Sequence, residues 1–119
     1  MSLTASPAGA RITYNTIDAT AALVGDGHVV RAIVFLGCTA GEQVEFTLTL
    51  TQEGASGTGH GAGVCTGEPM AYEVTVPAER GAFLAGVPQA CATAVNRDRG
   101  VVVDTRQWCR AAGVTLSAG

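Results

Sequence analysis

Residues 42–52 alternate between apolar and polar positions along their length. Val44, Phe46, Leu48 and Leu50 are interleaved with Glu45, Thr47, Thr49 and Thr51. A period of two puts each set on its own face, so this segment predicts a half-buried strand with a threonine-rich outer side. Residues 70–76 repeat the pattern, with Tyr72, Val74 and Val76 opposing Glu73 and Thr75. Residues 28–38 are apolar on both faces, as a central strand requires. Residues 88–96 alternate small side chains, Ala90, Ala92 and Ala94 against Cys91, Thr93 and Val95. Segments 10–17, 20–24 and 105–116 supply further strands. Turn residues separate these runs: Gly25, Asp26 and Gly27; Thr39, Ala40 and Gly41; Thr66, Gly67, Glu68 and Pro69; Gly86; and Gly100. One helical turn is expected over 79–84, weakened by Gly81. Short strands at this spacing indicate an antiparallel β-sandwich or barrel of about seven to eight strands.

The glycine-rich stretch 54–63, GASGTGHGAG, shows no apolar alternation and reads as a flexible loop between strands. It lacks the lysine and the following helix of a phosphate-binding loop. His60 at its centre reads as a solvated side chain.

The four cysteines constrain the pairing. Cys38, Cys65, Cys91 and Cys109 have no close pair, and His28 and His60 complete no zinc spacing. If 88–96 pairs antiparallel with 105–116, facing positions share a constant sum. Cys91 and Cys109 sum to 200, which centres the turn on Gly100. Cross-strand neighbours lie close enough for a bridge. Cys91–Cys109 follows from that register, and Cys38–Cys65 by elimination. The same register turns Trp108 away from Cys109, toward the alanine face of the preceding strand. The expected core is Val44, Phe46, Leu48, Leu50, Tyr72, Val74, Val76 and Trp108.

Composition narrows the function classes. The chain has 119 residues, 47% hydrophobic and 14% charged, with a net charge of −3. This length fits one domain, 10–119. Residues 1–9 read as disordered or cloning-derived, and the chain as a mature fragment behind an artificial start. Met1, Ser2 and Leu3 open without the charged and apolar regions of a signal peptide. No run approaches the ~18 apolar residues of a membrane span. The seven basic residues are all arginine. Arg97, Arg99, Arg106 and Arg110 alternate with Asp98 and Asp104, which reads as a solvated hairpin tip rather than a nucleic-acid surface.

Chemistry is sparse. Ser2, Ser6, Ser56 and Ser117 lie at termini or in the glycine stretch, without the base and orienter that a nucleophile needs. Asp98 and Asp104 are too few for a calcium site amid three arginines. No cofactor or metal is implied, and the reading is non-catalytic. The candidate binding residues are Arg97, Asp98, Arg99, Val101 and Val102, an apolar run rimmed by charge at a strand tip.

Cys38-Thr39-Ala40-Gly41, the run from Thr47 to Gln52, Cys65-Thr66-Gly67 and Trp108 together resemble a family of small secreted proteins from high-GC Gram-positive bacteria. The resemblance covers roughly residues 10–116. It implies secretion and an immunoglobulin-like sandwich, and it transfers no activity. The expectation is therefore an extracellular binding or structural module with a protein or small-molecule partner. No nucleic acid is expected, and association through a strand edge is open to it. The alternative is a small-molecule carrier or a protease-inhibitor-like protein using loops at one end. A cleft between 54–63 and 97–104 would favour that alternative.

Overall fold

The computed structural model describes residues 11–118, so the expectation for residues 1–9 lies outside it. The described chain is all-β, with nine strands: β1 Ile12–Ile17, β2 Thr20–Val24, β3 Val29–Cys38, β4 Gln43–Gln52, β5 Ala55–Val64, β6 Met70–Arg80, β7 Gln89–Asp98, β8 Val101–Arg110 and β9 Thr115–Ala118. Nine replaces the expected seven to eight because 54–63 is itself a strand and 105–116 is two. The helical turn expected over 79–84 is absent. Residues 79 and 80 finish β6, Gly81 takes a positive φ of 66°, and Phe83 N–H donates to Gly27 O instead of to a helical partner.

The strands form one sheet in the order β8-β7-β4-β5-β6-β3-β2-β9, with β1 also pairing β3. β6 is the strand that bends it. Residues 70–77 pair with β3, while Ala78 and Arg80 pair with Gly57 and Ser56 of β5 across a register shift. An irregularity of this kind increases local twist and redirects the strand. The sheet therefore curls, and its two halves enclose the apolar faces that the alternation defines. Val44, Phe46, Leu48, Leu50, Val74 and Val76 are buried as expected. Tyr72 and Trp108 are half-buried and pack against this core. The Phe46 and Tyr72 rings meet edge-on with centroids 5.4 Å apart. Burial raises the Tyr72 hydroxyl above its ordinary pKa.

The glycine stretch is the main departure from the sequence reading. β5 pairs along all ten of its residues with β4, from Gln43↔Val64 to Gln52↔Ala55. Gly57, Gly59, Gly61 and Gly63 occupy its inner face at period two. A methyl group on Gly59 would sit 2.5 Å from Thr75 O, and one on Gly63 would sit 2.6 Å from the Tyr72 ring. One on Gly61 would collide with Phe46. Glycine here lets β6 and two aromatic rings approach the strand closely.

The curl brings β1 back beside β8, and side chains close the seam. Asp104 Oδ2 accepts the backbone N–H groups of Arg11 and Ile12, each at 2.9 Å. Arg106 Nη1 donates to Asn15 Oδ1 at 3.4 Å, and Arg110 Nη1 to Ile17 O at 3.3 Å. Asp104, Arg106 and Arg110 thus form a joint between strands, while Arg97, Asp98 and Arg99 nearer the tip keep much of their side chains in solvent. Burial pushes the Asp104 carboxyl up, but the N–H groups of Ile12, Arg11 and Thr105 and the charge of Arg106 outweigh it. The group is held below the ordinary aspartate value. Beside the seam, Glu42 is 3% exposed and Asn96 is fully buried. Glu42 accepts from Arg11 and from the Asn96 amide. A buried carboxylate needs such partners.

Both expected bridges form, Cys91–Cys109 as the hairpin register requires and Cys38–Cys65 as elimination leaves, so all four cysteines are paired. No helix among the described residues is long and apolar enough to cross a membrane.

Candidate functional site

The β7–β8 hairpin carries the candidate residues. Its facing positions sum to 200 from Ala90↔Arg110 to Asn96↔Asp104, then shift by one to Arg97↔Val102 and Asp98↔Val101. The shift leaves Val103 as the extra residue of a bulge. Arg99 and Gly100 then form a two-residue turn, with φ of 53° and 83°. Two positive φ values mark a type I′ turn, whose twist matches that of the paired strands. The turn centre accordingly falls between Arg99 and Gly100, half a residue from the expected apex.

Val101 and Val102 belong to β8 and are also exposed, at 65% and 51%. Neighbours along a strand point to opposite faces, so the two side chains project from opposite sides of the hairpin. Val101 stands opposite Asp98, whose carboxylate lies 3.9 Å from the Arg11 guanidinium. Val102 stands opposite Arg97 on the outer face. Arg97 is opposite Gln43, and Gln43 is opposite Val64. At the strand spacing of about 4.8 Å, this row of four residues spans about 14 Å.

Sequence reasoning missed Val64, Gln43 and Glu45 as members of this row and its neighbour. Val64 is 58% exposed. Glu45 forms an ion pair with Arg97 across the outer face. Both groups face solvent, so the pair is worth at most about 1 kcal/mol and serves mainly to hold Arg97 in place. Reading β5 as a strand would have placed Val64, Ala62 and His60 on one face at period two. With β5 read as a loop, that signal was lost.

Two shallow grooves cross this face and share Glu45 and Ala62. The one nearer the tip, about 360 Å³, is lined by Gln43, Val64 and Arg97. The next, about 570 Å³, reaches His60, Thr93 and Val95. The short side chains of Ala62 and Thr47 are among those that line them. Both grooves are open to solvent along their length. The threonine ladder continues beyond them, where Thr49 and Thr58 hydroxyls lie 3.1 Å apart. Among the described residues, no group of three metal-ligating side chains converges. Asp98 and Asp104, weighed as calcium ligands, are turned to Arg11 and to backbone N–H groups.

A scan against protein-family models found no match, and a search of curated proteins found none either.

Proposed function

We propose that this chain is an exported, non-catalytic binding domain with an immunoglobulin-like sandwich arrangement. It takes a protein partner on the outer face of β5, β4, β7 and β8 at the Arg99–Gly100 end. One observation carries the reading: Val64 and Val102 stand exposed at either end of a row whose centre is Gln43 and Arg97, with Arg97 paired to Glu45 in the adjacent row. Apolar side chains left in water around an ordered charge are the composition of an interface core and rim. Two disulfides support export, since such bridges persist in oxidising compartments. One buried cluster that draws residues from both β8-β7-β4-β5 and β6-β3-β2-β9 supports the sandwich description.

The alternative, a small-molecule carrier, draws on the groove between β5 and β7. Its ~570 Å³ falls within the range of ligand sites. Its openness favours the protein partner, because carriers enclose most of a ligand's surface.

The test is a Val64→Ser, Val102→Ser double variant. Binding to the cell surface and secreted proteins of the source organism, and self-association by sedimentation, would be compared with the parent chain. Loss of an interaction at unchanged melting temperature supports the reading. An interaction that survives both substitutions, or a parent chain that captures nothing and stays monomeric, refutes it. Saturable uptake of an apolar dye, blocked by Ala62→Trp, would move the assignment to the carrier.

A further inference from the structure

The two disulfides sit in opposite environments. Cys38 and Cys65 are 1% and 4% exposed, within the core. Cys91 and Cys109 lie on the outer face of the β7–β8 hairpin, Cys91 half-buried and Cys109 exposed. We propose that Cys91–Cys109 is a thiol–disulfide exchange site, opened in the folded protein by dithiols that attack the Cys109 sulfur.

Access is the first argument. Exchange needs a thiolate to reach one sulfur of the bridge, and the more exposed sulfur is attacked first. Cys109 borders two open grooves, of about 340 and 250 Å³, on either side of the end of β8. An incoming group can approach it without displacing any element of the fold. Cys38–Cys65 offers no such path, because β1 and the turn after Cys38 cover it: Thr39 N–H donates to Arg11 O, and Gly67 N–H to Cys38 O.

The second argument is that opening this bridge leaves the hairpin standing. Cys91 and Cys109 are one pair in a ladder that runs from Ala90↔Arg110 to Asp98↔Val101. β7 is also paired along its length with β4, and β8 is tied to β1 by Asp104, Arg106 and Arg110. The strands are therefore held in register by bonds other than the bridge. The outer-face neighbours of Cys91 are Gln89, Thr93 and Thr49, and Gln107 flanks Cys109, so two thiols on this face uncover no apolar core.

The chemistry balances as follows. A dithiol in its thiolate form attacks Cys109 Sγ. A mixed disulfide forms on Cys109, and the Cys91–Cys109 bond breaks with its electron pair leaving on Cys91, which takes a proton. The second thiol of the reagent then attacks its own sulfur in the mixed disulfide. It forms the reagent's disulfide and releases Cys109, which is protonated in turn. The bridge is reduced by two electrons, and the dithiol is oxidised by two. With a monothiol, Cys91 re-attacks Cys109 and expels the adduct, so the site captures thiols reversibly.

The experiment treats the folded protein with dithiothreitol at neutral pH, blocks free thiols by alkylation at timed intervals, and maps the labelled cysteines by mass spectrometry. The expected result is alkylation of Cys91 and Cys109 alone, at a rate independent of added urea below the unfolding transition. The far-ultraviolet circular dichroism should not change. Cys38 and Cys65 should become labelled only as the chain unfolds. In a Cys91→Ser variant, Cys109 should form a stable adduct with oxidised glutathione. Equal labelling of both bridges, labelling of Cys91 and Cys109 that tracks global unfolding, or loss of the β-sheet spectrum on their reduction would overturn the proposal. So would a folded Cys91→Ser variant whose Cys109 forms no adduct.

Discussion

Adding one methyl group to Gly59 tests whether the glycine stretch is a strand packed under β6. In Gly59→Ala the new carbon falls 2.5 Å from Thr75 O, 2.7 Å from Val74 Cγ1 and 3.0 Å from Val76 Cγ2. Carbon and carbonyl oxygen ordinarily stay about 3.3 Å or more apart. The obstacle nearest the methyl is backbone, which has no rotamer to change. β6 is also locked to β3 by the continuous register from Val29↔Pro77 to Leu36↔Met70, so moving it disturbs a second ladder. Overpacking of this kind costs about 3 kcal/mol, the upper end of its usual range. The alanine recovers up to about 1 kcal/mol by narrowing the unfolded ensemble. The net loss is about 2 kcal/mol, or roughly 10 °C in melting temperature for a domain of this size. Thermal and urea unfolding followed by circular dichroism would measure it. His60→Ala, on the outer face of the same strand, should change stability by less than about 0.5 kcal/mol. A Gly59→Ala protein as stable as the parent or more so would mean that β6 does not lie against β5, and that the stretch is a loop after all.

Two further outcomes concern the polar end of the core. Glu42→Ala leaves the buried Asn96 amide and Arg11 without their acceptor and should cost about 3 kcal/mol; Glu42→Gln keeps the acceptor for Asn96 and should cost about 1 kcal/mol, both read from urea unfolding. Asp104 has a lowered pKa in the folded state, so its contribution is complete above the unfolded aspartate value and is lost as pH falls through the folded one. The parent should therefore lose melting temperature progressively below about pH 4. Asp104→Asn should be less stable at neutral pH and show a shallower acid decline; an identical decline in the two proteins would remove Asp104 as its source.

Several elements were legible from side-chain order alone. β4, β6 and β7 each carry large or small apolar groups at every second position, and burial follows those positions. The Cys91–Cys109 register was readable because a covalent link and a glycine near the turn constrain one pair of strands at both ends. Alternation specifies faces only where side chains differ in polarity. In β5 the inner positions are glycines, so its inner face has no hydrophobic signature. Glycine also favours loops on composition, and the strand was invisible until β6 was set against it.

Tertiary structure decided the rest, because those features depend on which strands become neighbours. Trp108 lies on the core-facing side of β8, as the register requires. It is only half-buried because β8 has a ladder partner on one side, and its indole N–H finds no acceptor among the described residues. Asp104, Arg106 and Arg110 read as a solvated charge run, yet the curl of the sheet carries β1 to them and makes them the joint. Val101 and Val102 were one patch in sequence and are two faces in space, since the period of a strand separates adjacent residues. The outer-face row from Val64 to Val102 joins residues from four strands. Local pattern determined which faces of the chain must be buried. Long-range pairing determined which side chains share the surface left over, and no local pattern encodes that.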